Sequence, residues 1–354
     1  MRKEKDCLIL GSLVSVLLAL LTLFVFSVMF QQSTKNNKVQ KTSVKQTSSS
    51  SSSKPATKKE TATVKSAEAK QAVMTADATA LSNLGLYYDY ANLSLEDTIK
   101  AYMAENGIAD DQVAFSYKDL ASGQTASMND TELMTAGSTY KLPLNMLVVD
   151  AVAKGKISMD ERFDITNTDY EYIGEHNNYV AAFDGAMSIS DMQKYSLVYS
   201  ENTPAYALSE RIGGMDKAYT MFGRYGKSKS KEVKTIRQEG NKTTTDYYIQ
   251  VLDYLWKHKD KYSDLIGYLE EAFPQDYYHA LLPDLVVAQK PGYVREALNV
   301  GAIVQETTPY IVAIYTKGLG GATESDSEIN GVGLYELEQL CYVVNEWHRV
   351  NMNP

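Results

Sequence analysis

Two cysteines and four histidines are all that the 354-residue chain contains. Cys7 adjoins an apolar run and Cys341 stands alone far downstream, so no disulfide framework is available. His176, His258, His279 and His348 are scattered among expected loops and exposed helix surfaces, which leaves no His–Asp pair to activate a serine. No metal or organic cofactor is implied. Positive charge is also scarce in the body of the chain. Twelve of the 35 basic residues but only four of the 44 acidic ones occur up to Lys70, leaving 23 basic against 40 acidic, a balance of about −17. Such a body is a poor nucleic-acid binder, because phosphate contacts need clustered cations.

The N-terminus has what the rest lacks, a long uncharged run. "LILGSLVSVLLALLTLFVFSVMF", residues 8–30, is long enough to cross a hydrocarbon core of ~30 Å. It leaves through "SVMFQQS", without the Ala-x-Ala exit of a cleaved signal peptide, and reads as an uncleaved signal anchor. Arg2, Lys3 and Lys5 precede it while Lys35, Lys38, Lys41 and Lys45 follow, so the charge rule for orientation is ambiguous. The short flank, residues 1–7, favours the cytoplasm for itself and the extracellular side for the rest. Cys7 is not followed by a mature-looking lipoprotein start. Residues 31–84, rich in Ser, Lys, Thr, Gln and Ala, carry too little apolar surface to offset chain entropy and read as a disordered tether. Fifty such residues have a reach of ~40 Å. The Lys-rich tail is read as a solvated linker; anionic headgroups or wall polymers are its alternative partners.

The folded domain is expected over 85–354. Ser94 is a good N-cap for "LEDTIKAYMAE", with Glu96 and Asp97 in the first turn and Gly107 beyond the end. "QVAFSYKDLASGQTASMN" alternates apolar and polar residues about Ala121-Ser122-Gly123, a hairpin pattern. Short helices and loops rich in tyrosine follow from Asp160 to about Trp256. Strands return in "LVVAQKPGY", "ALNVGAIVQ" and "PYIVAIYTKG", and a helix over about Gly331–Arg349 closes the chain. The fold class predicted is α/β of the α+β type: one antiparallel sheet that joins the early hairpin to the late strands, terminal helices on one face, and a helical lobe inserted between. A functional site would lie between lobe and sheet.

Three short strings then fall into order. In "STYK", Ser138 and Lys141 sit three apart at the start of "KLPLNMLVVDAV", apolar almost all round and therefore a buried helix. "SEN" places Ser200 and Asn202 in a turn, and "KPG" places Lys290 and Gly292 on a strand. A serine becomes nucleophilic when a base takes its proton, and a lysine serves if burial and a nearby cation keep it neutral. Lys290 would be that cation, Ser200 a proton relay, and Asn202 a positioner of Lys141 and substrate. The backbone N–H groups of Ser138 and Tyr293 would form an oxyanion hole. The plainer readings are an N-cap for Ser138, a surface lysine for Lys141 and a turn former for Asn202. Ser-x-x-Lys also occurs by chance at Ser51–Lys54 and Ser228–Lys231.

Order, spacing and flanking text over about residues 94–350 resemble the penicillin-recognising serine hydrolases, closest to the class A β-lactamase fold. "LVYSENTPAYALSERIGG" and "NKTTTDYYIQVLDYL" resemble the family's text around and after its second motif. The resemblance implies that Ser138 is acylated, with Lys141 as base, Ser200 and Asn202 as second motif, and Lys290 and Gly292 as third. It implies β-lactam or D-Ala-containing wall substrates for a serine hydrolase at the cell envelope, and the tether's composition suits a Gram-positive surface. Two departures stand against efficient β-lactam turnover. No Glu-x-x-Leu-Asn string, whose glutamate activates the deacylating water, follows the second motif; Glu232 and Glu239 are the only acids in the last loop before "NKTTTDYY". Pro291 stands where the family has a Thr or Ser hydroxyl for the substrate carboxylate, leaving Arg295 as a substitute or as a solvated charge. An esterase on a wall polymer, a wall-binding module with weak catalysis, and a penicillin sensor that stays acylated therefore remain open. Tyr140, Tyr170, Tyr172, Tyr179, Tyr199 and Tyr206 either line a groove or pack helices.

Overall fold

The computed structural model describes residues 65–294, 296–320 and 329–352. The expected flank, the apolar span at 8–30, the tether up to residue 64 and Arg295 lie outside the described residues. Among the described residues, no helix is long and apolar enough to cross a membrane.

The chain opens with α1 (Ala67–Leu84), then α2 (Leu95–Glu105), β1 (Val113–Asp119), β2 (Thr125–Met128) and β3 (Met134–Thr135). A 3-10 turn, Gly137–Tyr140, leads into α3 (Lys141–Ala153). The lobe contains β4 (Arg162–Asp164), α4 (Ile173–Ala182), β5 (Ala186–Ser188), α5 (Ile189–Val198), α6 (Asn202–Arg211) and α7 (Met215–Met221). Next come β6 (Lys242–Thr243), α8 (Thr245–Lys257), α9 (Ser263–Glu270), α10 (Tyr278–Leu281), β7 (Val287–Val294), β8 (Ala297–Val304), β9 (Tyr310–Thr316) and α11 (Gly331–Asn351).

The main sheet has the order β2-β1-β9-β8-β7, antiparallel throughout. Early hairpin and late strands do pair: Phe115 opposes Ile314, and the insertion between them carries the helical lobe. Ser94 caps α2 by accepting from Asp97 N at 3.0 Å. The terminal helices cover one face, where Leu337, Leu340, Val344 and Trp347 pack with Ile99, Val300 and Val312. Helices α3, α8 and α9 cover the other with Leu142, Tyr248, Leu252 and Leu265 against Ala288 and Ile311. The central strands are thus buried on both faces. Polar positions of β1 follow suit: Ser116 Oγ meets Thr245 Oγ1 at 2.9 Å, and Lys118 pairs with Asp253 at 2.7 Å.

The expected tether ends too late. Residues 67–84 are helical, capped by Ser66 Oγ on Ala69 N at 3.2 Å and closed by Gly85 at φ +72°. Ala, Lys and Gln are strong helix formers, and this short stretch places Val73, Met74, Leu81 and Leu84 against the terminal-helix core. Low average hydropathy concealed that stripe. Tertiary contact, which composition does not register, supplies the burial that orders it.

Candidate active site

The turn that carries Ser138 is pressed against the outer edge of the sheet. Gly137 has φ +56°, and a Cβ there would lie 2.9 Å from Gly292 C and Tyr293 N. A Cβ on Gly292 would lie 2.4 Å from Ala136 O. Only glycine at both positions permits this backbone approach. It also sets the segments bearing the Ser138 and Tyr293 amides side by side, as an oxyanion hole requires. β7 is an edge strand, where proline is tolerated at position 291. Hydrogen bonds fix the turn from other sides. Ala136 N donates to Asn241 O at 2.7 Å, and Asn299 Nδ2 donates to Thr135 O at 2.7 Å. Tyr248 OH donates to Thr139 O at 3.2 Å, and Tyr315 OH to Thr139 Oγ1 at 2.7 Å.

Lys141 N–H donates to Ser138 O, closing the turn just where α3 begins. In a 3-10 turn side chains three apart eclipse, which puts both on one side. Ser138 is half-buried, and its hydroxyl has no hydrogen-bond partner among the described residues. Lys141 Nζ is held elsewhere: it donates to Ser200 O and, at 2.6 Å, to Asn202 Oδ1. The two side chains share one side of the turn, but the second motif takes the ammonium. Catalytic hydrogen bonds often form fully only once substrate is bound.

Lys290 Nζ donates to Ser200 Oγ at 2.8 Å and to Pro291 O at 3.0 Å. Ser200 therefore joins the two lysines, its carbonyl to one and its hydroxyl to the other. It does so from φ +60°, a left-handed conformation that is uncommon and strained for a residue with a side chain. Both lysines are 0% exposed. Burial lowers Lys141 to about 8, partly countered by Glu175, Glu171 and Glu201. Burial first, and then the charge of Lys141, lower Lys290 well below the ordinary range.

Three glutamates crowd the Asn202 side, and two of them escaped the sequence reading. Asn202 Nδ2 donates to Glu171 Oε2 at 3.1 Å, and Tyr206 OH to Glu171 Oε1 at 2.6 Å. Glu175 Oε1 accepts from the backbone of Asn202, at 2.9 Å, and of Thr203, serving as the N-terminal cap of α6. Glu201 is pushed up to about 7, first by burial and then by Glu175. Glu171 and Glu175 precede the second motif by some 30 positions, Glu171 just ahead of α4 and Glu175 in its first turn, and no local pattern ties them to it. Glu201, between Ser200 and Asn202 in the second motif, is thus part of an acidic rim.

The other expected groups separate. Gly292 and Tyr293 lie on β7, at the edge of the sheet. Glu232 and Glu239 are exposed and have no contact with the motif residues among the described contacts. His176 and His348 are buried, contrary to their expected exposure: Tyr170 stacks on His176 at 4.7 Å, and His348 Nδ1 meets Tyr117 OH at 2.7 Å. Tyr140 is buried beside Tyr219, whereas Tyr170, Tyr172 and Tyr199 are exposed.

The model of the beta-lactamase enzyme family matches residues 94–335. Among solved structures, the class A β-lactamase of the last common ancestor of Gram-negative bacteria aligns with TM-score 0.59 at 20% identity, covering 72% of this chain and 98% of that one. A second ancestral class A β-lactamase aligns with TM-score 0.60 at 18% identity, covering 72% and 99%. PBP-A aligns with TM-score 0.55 at 16% identity, covering 66% and 88%. A search of curated protein sequences returns no significant match. With the matched region spanning most of the chain and both glycine-permitted contacts and paired lysines in place, the chain belongs to the beta-lactamase enzyme family.

Proposed function

We propose that this protein is a serine acyl-transfer enzyme of the cell envelope, acting through an acyl-enzyme on Ser138. The observation that carries the reading is Ser200, bonded at once to two buried lysines of lowered basicity. Neutral Lys141 takes the Ser138 proton as Oγ attacks the substrate carbonyl. The oxyanion meets the amides of Ser138 and Tyr293. As the carbonyl reforms, the leaving group departs with a proton passed through the Ser200 hydroxyl, which Lys290 orients. Water or an acceptor then attacks the acyl carbonyl and frees Ser138. Release is slow with β-lactams, since no glutamate of the family's deacylating motif follows the second motif.

The substrates proposed are β-lactams or D-Ala-containing wall peptides. An ester on a wall polymer is the second reading, favoured by Pro291, which offers no hydroxyl to a substrate carboxylate, and by the Glu171–Glu175–Glu201 rim, which repels one. The apolar run at 8–30 supports placement as a single-pass anchor with the domain on the extracellular side of a Gram-positive membrane.

Intact-protein mass spectrometry after exposure to penicillin tests the reading. The expected result is a stable adduct on the native protein and none on Ser138→Ala, with little nitrocefin turnover. Absence of any adduct or hydrolysis with penicillin, nitrocefin and simple esters would leave a binding module in place of an enzyme.

A further inference from the structure

Beyond Lys70 the chain has 23 basic residues against 40 acidic ones, yet five of the basic ones line a single cavity of about 330 Å³ in the helical lobe. Lys154 and Lys156 follow α3, Arg211 ends α6, Lys217 lies in α7, and Arg224 comes just after it. Leu147, Ile157 and Met221 contribute apolar wall.

The acids at this cavity are already engaged. Asp150 accepts from Lys261, from Tyr262 at 2.8 Å and from Tyr225 at 3.1 Å. Glu210 accepts from Thr168 Oγ1 and Asp169 N, each at 3.0 Å. Arg211 is spent on Glu161, with Nη2 to Oε2 at 2.9 Å. Lys154, Lys156 and Lys217 have no ion-pair partner among the described residues, and Arg224 reaches only to 3.9 Å from Asp150. Four cations thus face the cavity against one carboxylate, Glu210, whose partners are neutral donors.

Helix dipoles explain only part of this. A cation at a helix C-terminus is favourable, which accounts for Lys154 and Arg211. Lys217 is in the first turn of α7, the end that disfavours positive charge. Its Nζ folds back to within 2.6 Å of where a Cβ on Gly213 would stand, and Gly213 has φ +109°. The bare glycine leaves room for that ammonium at the cavity.

We propose that this cavity binds a phosphate-bearing organic ligand of about sugar-phosphate size. Its lysines would take the phosphoryl oxygens, and its apolar wall the carbon body. Lys141 and Lys154 lie at opposite ends of α3, about 20 Å apart at ~1.5 Å per residue, so the site is separate from Ser138 and independent of the acylation reading.

Titration calorimetry of the protein at physiological ionic strength tests this with glucose 6-phosphate, inorganic phosphate, inorganic sulfate and a glycerol-phosphate polymer. The expected result is saturable binding of a phosphorylated organic compound, tighter than of inorganic phosphate. It should weaken about tenfold in Lys154→Gln/Lys217→Gln, with unchanged thermal unfolding as the control for folding. Release of bound glucose 6-phosphate by phosphatidylglycerol but not by phosphatidylcholine vesicles would place the phosphate on a lipid and support the site. No saturable binding to any probe, equal binding of sulfate, or full binding by the folded variant would overturn it.

Discussion

If Lys141 is the base, acylation of Ser138 must follow the free-base form of that one amine. An ordinary lysine, at 10.5, is neutral in only about 3 molecules in 10,000 at pH 7. With Lys141 brought to about 8 by burial, the neutral share is about a tenth at pH 7, half at pH 8 and nine-tenths at pH 9. Burial therefore raises the competent fraction at neutrality about 300-fold, equivalent to about 3 kcal/mol. Two forces oppose here. The carboxylates of Glu175, Glu171 and Glu201 favour the ammonium, while loss of water disfavours it, and loss of water prevails. Stopped-flow acylation with a fluorescent penicillin, from pH 5.5 to 9.5, should show a rising limb with its midpoint near 8. Glu175→Gln removes an anion that holds the proton on, so its limb should move to lower pH. A flat profile, or a limb still rising tenfold per pH unit up to pH 9.5, would refute the role given to Lys141 and the burial that underlies it.

Gly292→Ala should force β7 and the Ser138 turn apart, because its Cβ would stand 2.4 Å from Ala136 O. A cost of about 1–3 kcal/mol and a loss of acylation of about 100-fold are expected, read by thermal melting and adduct formation. Pro291→Thr restores a hydroxyl on the edge strand, and penicillin acylation should rise severalfold relative to a neutral ester; an unchanged ratio would count against Pro291 as the reason for weak carboxylate recognition. Glu346 is 1% exposed and pushed up to about 8 by burial and Asp77, with Arg349 opposing. A carboxyl held more basic in the fold than in the unfolded chain binds its proton more tightly when folded. The associated stability is present below about pH 4.5 and is lost as pH rises towards 8. Glu346→Gln should therefore raise the melting temperature at pH 9 more than at pH 5, and equal shifts at both would refute this.

The motif residues and their order were legible because each string carries its own local chemistry. Alternation, caps and turn residues likewise announced the hairpin, the second helix and the three late strands, all of which are local patterns. Helix α1 was not legible, since its apolar stripe is ordered by a terminal helix more than 250 residues away. Glu171 and Glu175 were not legible either: they reach Asn202 across the lobe, and no spacing rule links a helix start to a motif some 30 residues later. The sequence by itself determined which side chains could act as nucleophile, base and relay. Only tertiary structure decided that Lys141 is tied to Ser200 and Asn202, that both lysines are fully enclosed, and that the serine turn lies against Gly292. Those outcomes depend on desolvation and on backbone approach between distant segments, quantities that exist only once the chain has closed around them.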